Sequence, residues 1–98
     1  MAADIEWHTG TIRFGDNYAS YRNRDQWDGC LSLIADLYDP MLCHLYAISG
    51  KVSISSHRSI LRLCQSLGYE RMQETHNRQK LETDLLAQPF RRKIIGGV

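Results

Sequence analysis

Ser-Ser-His-Arg-Ser-Ile-Leu-Arg-Leu-Cys-Gln-Ser-Leu-Gly-Tyr, residues 55–69, has the features of a helix with both of its ends marked. A serine hydroxyl at position 55 or 56 can accept hydrogen bonds from the first free backbone amides. Gly68 stands where a residue in the left-handed conformation commonly ends a helix. One face of this helix would carry the apolar residues Ile60, Leu63, Cys64 and Leu67, which recur at helical spacing. Leu61 lies at the margin of that face. The stretch therefore predicts an amphipathic helix that packs through this face.

Three elements are predicted before this helix. Residues 5–14 alternate aromatic, β-branched and polar types as a strand does, with Gly10 at a bulge or a tight turn. Residues 26–38 carry an apolar stripe at helical spacing, which predicts a helix that Asp39-Pro40 ends. The stripe consists of Trp27, Cys30, Leu31, Ile34, Leu37 and Tyr38. Residues 41–48 form a nearly continuous apolar run, which is typical of a strand covered on both faces.

The C-terminal third is more polar. Residues 70–76 alternate weakly and predict an edge strand. The spacing of Leu81, Leu85 and Leu86 favours a helix over residues 77–87, with a strand as the alternative. Residues 89–98 are basic, then apolar, then glycine-rich, which predicts a flexible tail outside a single domain formed by residues 1–88.

Composition narrows the classes of function. Twelve basic and eleven acidic residues leave a net charge of +1, so no strong global field attracts nucleic acid or an anionic membrane. No run has the length of a membrane span, and the N-terminus has no signal-peptide pattern. Three cysteines without a C-x-x-C pair predict buried, reduced thiols, and the four scattered histidines predict no metal site.

The order of these elements predicts the fold class. Strand, helix, apolar strand, short helix and strand indicate an α/β protein with a small mixed sheet and two or three helices. A crossover helix between the first two strands would make those strands parallel and would lie on one face of the sheet.

The phrase from Ser55 to Glu70 resembles the helix that precedes the last strands of GCN5-related N-acetyltransferases, where a glycine and an aromatic residue end the helix, here Gly68 and Tyr69. The resemblance covers residues 5–75. Within this family, the sequence is most similar to small acetyltransferase-like proteins of tailed phages. It implies an acetyltransferase-like layout that lacks the N-terminal strands of a full enzyme. It also implies that strand 41–48 splays from its neighbour to admit acetyl-coenzyme A, and that helix 26–38 holds the pyrophosphate.

The same resemblance assigns candidate site residues. Tyr69 occupies the aromatic position of the motif and is the candidate catalytic acid of acetyl transfer. The candidate cofactor-binding residues, at the start of helix 26–38, are Arg22, Arg24 and Gln26.

The stretch before helix 26–38 departs from the family's cofactor loop. That loop carries glycines, which let backbone amides approach a pyrophosphate. Here no glycine precedes the helix, and Asp25 and Asp28 stand close to where the diphosphate would lie. Two such carboxylates would each oppose binding by about 1 kcal/mol at an intermediate dielectric constant. The sequence therefore predicts a protein that needs no cofactor. Acetyl-coenzyme A would be the cofactor if the protein were instead an active acetyltransferase.

Exposed aromatic and basic residues suggest contact surfaces. The candidate partner-binding residues are Tyr18, Tyr21, Trp27, Arg58 and Arg62. In residues 18–27 aromatic and basic side chains alternate, a pattern that can also stack bases and contact phosphates of single-stranded nucleic acid. Arg58 and Arg62 lie one helical turn apart, where a solvated basic face is the simpler interpretation.

These observations predict a small acetyltransferase-like protein that acts mainly by contact with another protein. The phage resemblance implies a host-directed or virion-associated role, in the cytoplasm of the host cell or in the virion. A homodimer through an exposed strand edge is a further contact. The alternatives are a minimal acetyl-coenzyme A-dependent N-acetyltransferase and a single-stranded nucleic-acid binder. Neither a membrane nor a metal is expected as a partner.

Overall fold

The computed structural model describes residues 9–14 and 29–97. These residues form six strands and one helix, numbered here in chain order. The elements are β1 (Thr9–Phe14), β2 (Gly29–Ala35), β3 (Leu42–Gly50), α1 (Ile54–Ser66), β4 (Arg71–His76), β5 (Gln79–Asp84) and β6 (Arg91–Gly97).

The six strands form one mixed sheet in the order β1-β2-β3-β4-β5-β6. Neighbouring strands are antiparallel except for β3 and β4, which are parallel and are connected through α1. The α/β class is therefore confirmed, although the described residues contain one helix rather than two or three. The two strands predicted as the first pair, over residues 5–14 and 41–48, correspond to β1 and β3, and no helical crossover joins them. β2 lies between them and is antiparallel to both, so β1 and β3 run in the same direction without being neighbours. The helical crossover of the described residues lies between β3 and β4.

The predicted helix is confirmed as α1, but its cap and its buried face differ. Ser53 is the N-cap, and its side chain accepts a hydrogen bond from the Ser56 amide at 3.0 Å. Gly68 follows the helix with φ 97°, in the left-handed region that was expected of it. The buried residues are Ser56, Ile60, Leu61 and Cys64. Leu63 and Leu67 are exposed, because the helix is rotated about its axis relative to the predicted orientation. This rotation places the small Ser56 and Cys64 against the sheet.

The prediction of a helix over residues 26–38 is wrong for its described part, where residues 29–35 form β2. Leu31 and Leu33 are buried, and Ser32 between them is half-buried, which is the two-residue period of a strand. The apolar residues of this segment fit both a helical and a two-residue spacing. The hydrogen-bonded neighbours on both sides, β1 and β3, favour the strand. Residues 26–28 lie outside the described residues.

The favoured helix over residues 77–87 is also absent. Residues 79–84 form β5, which pairs antiparallel with β4 through a two-residue turn. Asn77 and Arg78 have φ of 50° and 64°, the backbone of a type I′ hairpin turn in which asparagine is favoured. Leu81 and Thr83 then face the core, at the spacing of a strand.

The tail predicted as flexible contains a strand. Residues 91–97 form β6, which pairs with β5 along the edge of the sheet. All seven residues of β6 are exposed, which explains why hydrophobic patterning did not indicate the strand.

α1 covers one face of the sheet and closes the hydrophobic core against β1 to β4 and against Leu85, which follows β5. The core residues are Ile12, Phe14, Leu31, Leu33, Cys43, Leu45, Ile60, Leu61, Cys64, Met72 and Leu85. Cys43 and Cys64 are completely buried and are free thiols, as predicted, whereas Cys30 is only half-buried. The contact with Cys64 and burial both raise the pKa of the Cys43 thiol, which keeps it protonated.

Candidate ligand-binding crevice

The parallel strands β3 and β4 separate soon after they begin. They share three ladder pairs, from Leu42–Arg71 to His44–Gln73, and then β3 continues along β2 while β4 continues along β5. A β-bulge lies at the point of separation, where Ala47 and Ile48 together oppose one residue of β2. Ala47 has φ 52°, which is uncommon for a residue with a side chain. Because a bulge bends and twists its strand, this one turns the end of β3 away from β4.

An open crevice of about 1100 Å³ lies between the separated strand ends. This crevice is bounded by the end of β3 and the loop to α1, by one side of α1, by the ends of β4 and β5, and by the start of β6 with residues 88–90 before it. Of the described residues that line it, the cationic ones are Lys51, Arg58, Arg62 and Arg92, and the anionic one is Glu74. In open α/β sheets, ligands bind at the carboxyl ends of strands where neighbouring strands part. The charge and the position of the crevice therefore suit an anionic ligand.

The chain enters the crevice through a tight turn. Gly50 ends β3 with φ 96°, a conformation that favours glycine. Residues 51–53 then lead into α1, whose first turn lies at the wall of the crevice. The amides of a helix N-terminus carry a partial positive charge, which adds to the charge of the cationic side chains. The cap by Ser53 fixes the position of this turn.

An imidazole–carboxylate pair stands inside the crevice. His57 Nε2 lies 2.9 Å from Glu74 Oε1, which joins α1 to β4. The Glu74 side chain is 6% exposed and that of His57 is 26% exposed. Arg92 Nη1 of β6 lies 3.9 Å from the same carboxylate oxygen. A buried carboxylate with two cation-capable neighbours is thereby held at the floor of the crevice.

Thr83 adds a polar group to that floor. Its residue is 1% exposed, and its Oγ1 atom is buried without a hydrogen-bond partner. A buried hydroxyl without a partner costs about 1–3 kcal/mol, so such groups commonly mark a site that a ligand or a water completes. Thr83 lines the crevice, and a ligand group that reaches the floor could supply the missing hydrogen bond.

The structure brings together only some of the predicted site residues. Arg58 and Arg62 are exposed on α1 and both line the crevice. Tyr69 follows the other end of α1, where it packs against the core and does not line the crevice. Burial raises the pKa of the Tyr69 phenol, with smaller contributions from Cys43 and Cys64. The remaining candidates lie outside the described residues: Tyr18, Tyr21, Arg22, Arg24, Gln26 and Trp27.

The polar residues of the crevice floor were not among the predicted site residues. His57 belongs to the quoted helix phrase, but Glu74, Thr83 and Arg92 come from three separate strands. Two of those strands had been predicted as a helix and a flexible tail. A charged residue at a core-facing position of an alternating strand, here residues 71–76, is the signal that could have indicated Glu74.

The turn between β2 and β3, residues 36–41, is a second exposed feature. The Asp36 carboxylate accepts hydrogen bonds from the Tyr38 and Asp39 amides and contacts His44 Nε2 at 2.8 Å. The hydrogen bond with His44, then that with the Tyr38 amide, lowers the pKa of Asp36. Asp39 pairs with Arg71 of β4. These contacts brace a turn on which Leu37 and Tyr38 are 75% and 93% exposed.

The comparisons do not place this chain in a known group. No protein-family model matches it, and no match is found among curated proteins or solved structures. No helix in the part of the chain that the structure describes is long and apolar enough to cross a membrane. Within residues 9–14 and 29–97, no three His, Cys, Asp or Glu side chains are grouped as a metal site requires.

Proposed function

We propose that this domain binds acetyl-coenzyme A in the crevice and acts as a minimal N-acetyltransferase. The observation that carries the proposal is the separation of β3 from β4 beside the first turn of α1. Such a separation gives a ligand access to the middle of a sheet, and here basic side chains surround it. The resemblance of residues 55–70 to acetyltransferases supplies the ligand to be tested first.

The crevice has the features that this ligand requires. Coenzyme A carries a diphosphate and a further phosphate, which need several cations, and Lys51, Arg58, Arg62 and Arg92 provide them. The volume of about 1100 Å³ can hold an extended nucleotide derivative. The unpartnered Thr83 hydroxyl offers a hydrogen bond at the floor.

The crevice offers the diphosphate a different helix N-terminus from the one predicted over residues 26–38, next to Asp25 and Asp28. Residues 29–35 are a strand, and the helix N-terminus beside the separated strands belongs to α1. The residues that lead into α1 are Gly50, Lys51, Val52 and Ser53, which contain a glycine and no carboxylate.

Isothermal titration with acetyl-coenzyme A tests this proposal. We expect saturable binding in the micromolar range, weakened at least about tenfold when Arg58 and Arg62 are both changed to glutamine, because charged hydrogen bonds contribute about 1.5–3 kcal/mol each. Arg13→Gln is the matched control, since Arg13 is exposed on β1 and does not line the crevice. Absence of binding to the folded wild-type protein would reject the proposal.

The braced turn favours a second candidate function, contact with another protein in a host-directed or virion-associated role. Large exposed apolar side chains on a backbone that is held in one conformation make good interface anchors, because the backbone loses little conformational entropy on binding. Leu37 and Tyr38 meet this description, since the carboxylates of Asp36 and Asp39 fix the turn beneath them.

Affinity capture tests this second candidate function. We expect the immobilised wild-type protein to retain a partner that a Leu37→Ser, Tyr38→Ser double variant does not retain. Both side chains are exposed, so the double variant should keep the thermal midpoint of the wild type. Equal retention of every captured protein by both forms would exclude the turn as the contact surface.

A further inference from the structure

We propose that His57 is the general base of the crevice and that Glu74 is the residue that positions it; this inference rests on the proposed acetyl transfer. Of the groups at the crevice floor, His57 combines a titratable nitrogen with partial exposure, its side chain being 26% exposed. It lies on α1, beside the first turn and among the cations that would bind the acetyl donor. An acceptor amine that approaches a donor bound among these cations would enter the crevice that His57 lines.

Glu74 decides which imidazole nitrogen is available. Its ionised oxygen only accepts hydrogen bonds, so the contact of 2.9 Å requires His57 Nε2 to donate its hydrogen. In the neutral imidazole, Nδ1 is then the nitrogen with the free electron pair. The carboxylate is 6% exposed and reaches His57 from β4, so the ring is oriented by a group that is itself fixed in the sheet. Arg92 compensates the charge of this carboxylate from β6.

The proton transfer proposed for His57 completes a balanced reaction. As the nitrogen of the acceptor amine attacks the thioester carbonyl, an N–C bond forms and His57 Nδ1 takes the proton that leaves the nitrogen. The C–S bond then breaks, and its electron pair departs with the sulfur of coenzyme A. The imidazolium or water returns a proton to that thiolate, so that no oxidant or reductant is needed. Glu74 stabilises the imidazolium without receiving its proton.

Several charged and titratable groups line the crevice together with His57. The anionic one among the described residues is Glu74 of β4, which contacts the imidazole. The cationic ones are Arg58 and Arg62 on the same helix, Lys51 before it and Arg92 on β6, and the imidazole of His76 lies at the end of β4.

The transfer rate of variants tests these roles, with hydroxylamine as the acceptor because so small an amine needs no recognition of a side chain. The hydroxamate that forms above the uncatalysed rate is measured across the neutral pH range. We expect His57→Gln to lower the rate about 100-fold, the low end of general-base contributions, with an unchanged affinity for acetyl-coenzyme A. When the rate is expressed per concentration of unprotonated hydroxylamine, we expect the pH dependence of the wild type to be lost in this variant.

Two further variants separate positioning from folding. Glu74→Gln should lower the rate at least about tenfold, because a neutral amide no longer selects the tautomer, and Glu74→Asp keeps a carboxylate in case the amide variant does not fold. His44→Gln is the matched control, since it removes a second imidazole–carboxylate pair of the described residues, that of His44 Nε2 with Asp36 Oδ1 at 2.8 Å. His44 does not line the crevice, so this variant should retain the wild-type rate.

The outcomes distinguish this inference from the proposed function. If the wild-type protein does not bind acetyl-coenzyme A, the proposed function fails and the role of His57 fails with it. If acetyl-coenzyme A binds but hydroxamate does not form above the uncatalysed rate, binding stands and the base is rejected. If His57→Gln transfers acetyl groups as fast as the wild type, with the same pH profile, acetyl transfer stands and another group is the base.

Discussion

Replacing Leu85 by alanine is expected to lower the free energy of unfolding by about 2–5 kcal/mol, the range observed when a buried leucine is truncated. Leu85 is completely buried in the core although it follows the end of β5. Its amide donates a hydrogen bond of 2.9 Å to the Glu70 carbonyl oxygen, so the backbone cannot move freely to fill the cavity. The change in the midpoint of urea-induced unfolding measures this loss.

Leu86→Ala is the matched control, because the same side chain is truncated one residue later. Leu86 is 64% exposed, and its truncation should change the free energy of unfolding by less than about 0.5 kcal/mol. The pair also distinguishes the strand from the helix that leucine spacing favours, since one face of a helix would bury both residues. Equal effects of the two substitutions would contradict the packing of this segment.

Replacing Gly29 by alanine is expected to lower the free energy of unfolding by about 1–3 kcal/mol, as forced overpacking commonly does. An added Cβ atom would fall far inside contact distance of the Ser49 carbonyl oxygen and 2.6 Å from Phe14 Cζ. Gly29 pairs with Gly50 at the end of β3, so relief of this clash must displace the strand end that borders the crevice. We therefore expect acetyl-coenzyme A binding to weaken as well.

Gly10→Ala provides the control for Gly29→Ala. A Cβ atom at Gly10, on β1, would meet no atom within 4 Å. The free energy of unfolding should remain the same or increase by up to about 1 kcal/mol, because alanine restricts the unfolded chain more than glycine does. If Gly29→Ala did not lower the free energy of unfolding relative to the wild type, β2 and β3 could not approach each other as closely at this point as described.

Local signals were sufficient where one period dominated the pattern. α1 combines apolar spacing with a serine-rich start and a glycine end, and its existence and limits were predicted to within two residues. The strand predicted from the nearly continuous apolar run 41–48 is confirmed as β3. The expected coverage of both faces holds for its first half only, because residues 46–50 are exposed. Even so, the buried face of α1 was predicted incorrectly, since Leu63 is more hydrophobic than Ser56 but lies away from the sheet.

The crevice floor could be predicted less well than the helix beside it. Arg58 and Arg62 were selected because exposed charges one turn apart are visible in sequence. Glu74 and Thr83 come from neighbouring strands, and their meeting with His57 depends on the pairing of β4 with β5 and on the position of α1 above them.

By itself, the sequence determined the α/β class, the helix over residues 54–66 and the strand that precedes it, because helical spacing, capping residues and apolar runs act over a few neighbouring residues. The tertiary structure decided that residues 29–35, 79–84 and 91–97 are strands, that β3 is parallel to β4, and that these two strands separate. The physical reason is that a strand is stabilised by hydrogen bonds and side-chain contacts with its neighbours. Those neighbours are distant in the chain, so local patterning cannot reveal them.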